Sequence, residues 1–323
     1  EILAQMLLGP TYAEVDSERE VVLEEIAMYE DEPQDRVHDV LAEAVFGAHP
    51  LGRRVLGEPE VIASVPVPDI EGYRSSRYTA PQIVVGAAGH LDHDRIVEMA
   101  KRLVEPPGGN GGGVAEADLE GDSRLCFLSK ETEQYHICFG APGLRRDDQR
   151  RYPLAVLDAI FGGSTSSRLF REVREKRGLA YSVGSYNEQF TDQGLVATYV
   201  GTREDNVEEA CSIIGTELAR LRSEPVSEEE LVRAKESVKG RLVLSSESTA
   251  ARMTRISRAT LFDLPIESLD EMLTKVDAIK VDDLTELAQE LYAADRLSAA
   301  CVGADEDRFR KALAPVSEAL VAA

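Results

Sequence analysis

A repeated order of elements, offset by a little over two hundred residues, constrains this chain more than any other feature. Residues 67–104 read as a helix from Asp69 to Tyr78, an apolar strand Gln82–Gly89, an acidic turn at Leu91-Asp92 and a helix Asp94–Leu103. Residues 281–313 give the same order: a helix Asp282–Tyr292, a strand Leu297–Gly303, an acidic turn at Asp305-Glu306 and a helix reaching Leu313. Gly89 and Gly303, which close the two strands, are 214 apart, and Ser17-Glu18-Arg19-Glu20 and Ser227-Glu228-Glu229-Glu230, each opening a long helix, are 210 apart. One order at one offset marks two copies of a supersecondary unit, and 323 residues are enough for two domains of ordinary size.

The second copy reads as a full unit. Strands near Arg124–Ser129 and Tyr135–Ala141 open it, the latter alternating Tyr135, Ile137, Phe139. A helix over Arg151–Phe161, a Gly162-Gly163 turn and a helix Ser166–Lys176 stopped by Gly178 follow. Next come a hairpin of strands Tyr181–Gln189 and Gly194–Gly201, and long helices over Glu204–Ser245 broken at Pro225. About 104 residues lead from its first strand to Ser227, whereas 16 precede Ser17, so the first copy is expected to lack about 90 residues at its front. Between the copies, Glu105-Pro106-Pro107-Gly108-Gly109-Asn110-Gly111-Gly112-Gly113 stops a helix and sustains neither regular structure. No Lys-Ser/Thr follows these glycines, which argues against a phosphate loop. The expected division is 1–105 for the incomplete first domain, 106–122 for the linker and 123–323 for the second domain.

Composition narrows the function classes. Asp+Glu is 59 against Lys+Arg 36, a formal charge of -23, the opposite of the basic stripe a nucleic-acid surface needs. No apolar run approaches the roughly 18 residues of a membrane span, and no targeting segment is legible, so a cytoplasmic location is expected. Cys126, Cys138, Cys211 and Cys301 lie far apart without a CxxC and read as reduced core residues.

Two segments carry candidate chemistry. In Ser17–Ile26, Glu18 and Glu25 are seven apart, close to two helical turns, so both carboxylates share a face. Such a helix can offer one carboxylate as a metal ligand and one as support behind it, or can simply be a solvated acidic face. The second segment runs from Gly162-Gly163-Ser164-Thr165-Ser166-Ser167-Arg168-Leu169-Phe170 into Arg171-Glu172-Val173-Arg174-Glu175-Lys176-Arg177-Gly178-Leu179-Ala180-Tyr181-Ser182-Val183. Gly178 lets the chain reverse between Arg174, at a helix end, and Tyr181, at a strand start. For these two, core packing of the ring and a solvated cation are the alternatives.

These segments, with Asp31-Glu32-Pro33 and His49-Pro50-Leu51-Gly52-Arg53-Arg54-Val55-Leu56-Gly57, resemble the insulinase, pitrilysin and mitochondrial processing peptidase family of inverted-zincin metallopeptidases. The resemblance covers essentially the whole chain. It implies an α+β fold of two homologous α/β-sandwich domains closing on a peptide, here with the first domain truncated at its N-terminus. It implies zinc held in the first domain by two histidines of HxxEH and a distant glutamate. By position Glu25 matches that ligand, Glu18 its supporting carboxylate, and Arg174 and Tyr181 the second-domain pair that contacts substrate near the scissile carbonyl.

The chain departs from the family at one point. It contains no HxxEH: its histidines are His38, His49, His90, His93 and His136, and helix Tyr152–Phe161 of the second copy has none. The expected ligands would fall before Glu1. Three readings stay open: a zinc endopeptidase whose HxxEH segment is absent here, a catalytically silent homologue acting as scaffold or partner subunit, and a peptide-binding module. The expected partner is a peptide or unfolded polypeptide substrate, with no nucleic acid and no membrane, and a homo- or heterodimer stays open.

Overall fold

The computed structural model describes residues 2–101 and 124–322. The expected linker, 106–122, lies outside them. The helices of the first stretch are α1 (Ile2–Leu8), α2 (Val15–Asp31), α3 (Pro33–Phe46), α4 (Pro59–Ser64), α5 (Val67–Arg77) and α6 (His93–Lys101). The second stretch runs β1 (Leu125–Ser129), β2 (Gln134–Gly143), α7 (Arg151–Phe161), a π-helix Phe170–Glu175, β3 (Ala180–Gln189), β4 (Gly194–Arg203), α8 (Val207–Ser223) and α9 (Glu228–Glu247). It continues with α10 (Thr249–Leu261), α11 (Leu269–Ala278), α12 (Val281–Leu291), β5 (Ser298–Gly303), α13 (Glu306–Lys311) and α14 (Glu318–Ala322). Among the described residues no helix is long and apolar enough to cross a membrane.

Contacts group the described residues into two compact units. One comprises 2–27, 56–101 and 241–269, the other 28–55, 124–240 and 270–322. Residues 28–55 thus group with 124–240 and 270–322, and 241–269 with 2–27 and 56–101. The mixed α/β class follows the sequence reading, and the larger unit carries its sheet.

That sheet has the order β1-β5-β2-β4-β3, with β1 parallel to β5 and the remaining pairs antiparallel. β2 and β4 pair over ten positions, Gln134↔Arg203 to Gly143↔Gly194. Strands buried on both faces read as continuous apolar runs, as Leu195-Val196-Ala197 does in β4. On one face α3 lays Val37, Leu41, Val45 and Phe46 against Cys138, Leu195, Ala197, Ala300 and Val302. The alternate residues Ile137, Phe139, Val196 and Cys301 point to the other face, where α7, α8 and α12 pack. Leu154, Leu157, Ile214, Leu218, Leu287 and Tyr292 are essentially inaccessible there. Each such side chain removed from water contributes about 1.5–3 kcal/mol.

The smaller unit differs from the sequence reading at one element. Gln82–Gly89 is not a strand: a single 3-10 turn ends at Gln82 and residues 83–88 are irregular. β5, whose apolar pattern is similar, is a strand because β1 and β2 flank it. Residues 83–88 have no ladder partner among the described residues, and a strand exists only through its neighbours' hydrogen bonds. Beside them lies an apolar cavity of about 780 Å³ lined by Leu3, Val85, Ile96 and Met99. Helices α5 and α6 form as expected because a helix satisfies its own backbone. Helices α10 and α11, absent from the sequence reading, follow the break after α9.

Candidate functional site

The segment joining α7 to β3 brings Arg174 and Tyr181 together. Its helix widens to π geometry over Phe170–Glu175, a rare form that recurs at functional sites. The N–H of Lys176 bonds to the Arg171 carbonyl at 2.9 Å, five residues back. Gly178 then takes φ +62°, a left-handed conformation that glycine tolerates. Gly178 and Leu179 N–H groups bond to the Arg174 and Val173 carbonyls, both at 3.0 Å. The chain reverses and enters β3.

β3 starts with a bulge. Ala180 pairs with Thr202 and Ser182 with Gly201, which leaves Tyr181 as the extra residue. A bulge re-aims the inserted side chain, and Tyr181 is 80% exposed. The core-packing alternative for this ring is therefore removed. The Arg174 guanidinium donates to the Tyr181 carbonyl at 2.9 Å, and its carbon lies 4.3 Å from the Tyr181 ring centre and 4.8 Å from that of Phe170. Arg174 is thus an ordered cation rather than a freely solvated one.

The segment is anchored on both sides. Arg168 Nε and Nη2 donate to the two Glu230 oxygens of α9 at 2.9 and 3.0 Å, a bidentate pair. Burial pushes the Glu230 carboxyl up, but Arg168 and the Ser227 donors outweigh it and hold the group below its usual range. Within the π-helix, Glu172 accepts from Arg177 at 2.8 Å and Lys176 at 2.5 Å, and these partners hold its carboxyl low.

The carboxylate pair sits on α2. Arg19 fixes this helix by donating to the carbonyls of Ile62 and Val65. Ile26 is its one buried residue, while Glu18 and Glu25 are both exposed. Seven residues place them on one face but about 10 Å apart along the axis. Among the described residues neither carboxylate makes a hydrogen bond or ion pair. Glu18 and Glu25 belong to the smaller unit, Arg174 and Tyr181 to the larger one.

The histidines are engaged elsewhere or open to solvent. His38 Nδ1 is hydrogen-bonded with the Tyr186 hydroxyl at 2.7 Å, and His136 Nδ1 with that of Tyr199 at 2.9 Å. His49 Nδ1 accepts from the Leu51 N–H at 3.1 Å while its Nε2 faces Asp192 at 3.3 Å. His90 and His93 are exposed. No group of three or more His, Cys, Asp or Glu among the described residues could hold a metal ion. The zinc implied by the resemblance needs at least three protein ligands, and the residues described here do not provide them.

Sequence reasoning missed Phe170 as the second ring beside Arg174. Its signal was available, since the two are four apart in a helical segment. The His38–Tyr186 contact had no signal, as its partners are 148 residues apart.

Known proteins resemble this chain in sequence and in fold. The peptidase M16 inactive domain matches residues 64–238, more than half of the chain. An uncharacterized zinc protease of Streptomyces coelicolor is 36% identical over 318 residues, covering 95% of this chain and 69% of that protein. The uncharacterized zinc protease YmxG of Bacillus subtilis is 36% identical over 298 residues, covering 91% and 72%. Among solved structures, a peptidase M16 inactive domain from Pseudomonas fluorescens superposes with a TM-score of 0.84 at 20% identity, covering 94% of this chain and 73% of that one. A chain of Complex III2 from Candida albicans gives 0.84 at 21%, covering 97% and 77%. The chain belongs to the peptidase M16 family, the insulinase-like metallopeptidases, and has their mixed α/β fold.

Proposed function

We propose that this chain is the polypeptide-holding portion of an M16 zinc endopeptidase, with Arg174 and Tyr181 as the groups that grip the substrate backbone. The observation that carries this reading is the exposed, pre-ordered Arg174–Tyr181 pair at the bulged start of β3. Arg174 spends one N–H on the Tyr181 carbonyl, and its other in-plane donors can meet a substrate carbonyl. The Tyr181 hydroxyl, free of the core, can donate to the same segment. Because both side chains are already ordered, less entropy is lost on binding. A donor of this kind aimed at a developing oxyanion contributes about 3 kcal/mol in other enzymes.

In this reading Glu25 is a zinc ligand and Glu18 its support, and the histidine ligands come from residues other than those described. The two halves of the sequence are then copies of one unit. The substrate is a peptide or unfolded polypeptide, in keeping with the family and not with nucleic acid.

A second reading is a silent partner subunit. The lack of a metal-binding group among the described residues favours it, as does the match to a domain described as inactive. The structural likeness to a chain of Complex III2 supports a role within an assembly.

Binding and cleavage of fluorescein-labelled β-casein separate these readings. The holding reading expects saturable binding by this chain, weakened about tenfold or more in Arg174→Ala, one charge-assisted hydrogen bond being worth about 1.5–3 kcal/mol. It also expects no zinc-dependent cleavage by this chain alone. Absence of binding, or binding indifferent to Arg174, leaves the partner-subunit reading. Zinc-stimulated cleavage would overturn the assignment of the ligands to other residues.

A further inference from the structure

Arg174 does not stand alone beside Tyr181. The wide turn of the π-helix carries residue i+4 almost directly over residue i, so Phe170 lies beneath Arg174 with its ring centre 4.8 Å from the guanidinium carbon. Tyr181 contributes a second ring at 4.3 Å and a carbonyl acceptor at 2.9 Å. Arg174 is half-buried between these groups although the segment around it, from Glu175 to Gly178, is exposed. Phe170 is itself held: its N–H bonds to the Ser167 hydroxyl at 3.3 Å, and Leu169 and Val173 on either side are fully buried. Arg168, two positions earlier, is tied to Glu230 through two hydrogen bonds.

We infer that Phe170 is a positioning residue for Arg174, and that the Phe170–Arg174–Tyr181 stack selects an oxygen acceptor lying in the guanidinium plane. This inference rests on the polypeptide-holding reading above. An unrestrained arginine presents both its flat faces and its edge to a ligand. Here two ring centres lie 4.8 and 4.3 Å from the guanidinium carbon, in space a ligand stacking on the cation would need. One N–H is committed to Tyr181, and the remaining donors lie along the edge. A group that recognises through its edge alone fits a peptide carbonyl or a carboxylate, which accept in-plane hydrogen bonds, and not an aromatic side chain stacked on the cation. Phe170 thereby sets what Arg174 can hold: an in-plane oxygen, which every residue of a peptide backbone supplies, rather than a stacked aromatic side chain. A peptidase acting on varied sequences requires that property.

The test is Phe170→Leu, with Phe170→Tyr as the conservative restoration, read in two ways. The first readout is the Arg174 Nε–Hε resonance by nitrogen–proton NMR, assigned by its loss in Arg174→Lys. Ring currents displace it in the wild type. It should move toward the position of a solvated arginine in Phe170→Leu and return in Phe170→Tyr. The second is affinity for fluorescein-labelled β-casein, expected to fall about threefold to tenfold in Phe170→Leu, the size of one cation–π contact. It should recover in Phe170→Tyr, with thermal melts confirming the fold. An unmoved Arg174 resonance in folded Phe170→Leu overturns the positioning role. Should Phe170→Leu not fold, the same resonance in Phe170→Tyr decides: it must remain displaced, and a solvated position overturns the inference. A displaced resonance without casein binding in the wild type sinks the polypeptide-holding reading and, with it, the assigned ligand, while leaving the contact between Phe170 and Arg174 intact.

Discussion

His38 Nδ1 and the Tyr186 hydroxyl meet at 2.7 Å beneath α3, with the Cys138 thiol 3.9 Å from the same nitrogen. The contact ties a helix to β3 across the face of the sheet that Val37, Leu41 and Val45 cover with apolar side chains. Burial lowers the His38 pKa against the opposing pull of Asp35, and burial raises that of the Tyr186 hydroxyl. His136, paired with Tyr199, is lowered by burial as well, against Glu32. The cluster is therefore built for neutral imidazoles.

A pH dependence of stability follows. Both histidines have folded-state pKa values below the unfolded value of 6.5. Below about pH 6.5 the unfolded chain takes up protons that the folded chain resists. The contribution is complete above that value and declines as pH falls toward the folded pKa. Melting temperature should drop between pH 7 and pH 5, and less steeply in His38→Gln, which keeps a polar partner for Tyr186 but does not titrate. An equal slope in that variant removes His38 as the cause.

The Arg168–Glu230 pair should matter to stability as well as to placement of the π-helix. Arg168 is 9% exposed, and its removal leaves a partly buried carboxylate without its main partner. Arg168→Met is expected to cost about 2–3 kcal/mol by urea denaturation, less than a fully buried pair because Glu230 retains some water contact. Glu230 has a depressed pKa, so its contribution is present above the unfolded carboxylate value and is lost as pH falls through the folded one. The wild-type advantage over Arg168→Met should shrink between pH 5 and pH 3.

Exposed Tyr181 predicts a split between stability and binding. Tyr181→Phe should leave the melting temperature within about one degree, since the hydroxyl makes no core contact. Casein binding should weaken in the same variant. Equal affinity would assign the grip to Arg174 alone.

Two glycines should be costly to replace for different reasons. Gly215 lies inside α8, where alanine ordinarily favours the helix by about 1 kcal/mol. A Cβ there would strike the Pro315 carbonyl, which is backbone and cannot swing aside. Gly215→Ala should therefore destabilise, by about 1–3 kcal/mol. Gly178 has open space around it, and the cost of Gly178→Ala is the left-handed backbone alone, about 1–2 kcal/mol. Denaturant midpoints check both, and only Gly178→Ala should also disturb casein binding.

The local sequence determined several helices and their ends, though not α10 and α11. Pro225 stops α8, Glu228-Glu229-Glu230 opens α9, and Gly178 reverses the chain at the point its lone glycine signals. Those features depend on residues a few positions apart, because a helix closes its hydrogen bonds within itself. The Arg174–Tyr181 pair was legible for the same reason, its members being seven residues apart across one turn. Strands were decided by their partners. Gln82–Gly89 and Leu297–Gly303 carry similar apolar patterns, yet only the second is a strand, since β1 and β2 complete its ladders. The bulge that turns Tyr181 outward arises from register against β4, and the grouping of 28–55 with 124–240 arises from α3 covering the sheet. Long-range hydrogen bonding and the burial of one element's apolar face against another's decided these, and neither is written in any short stretch of the chain.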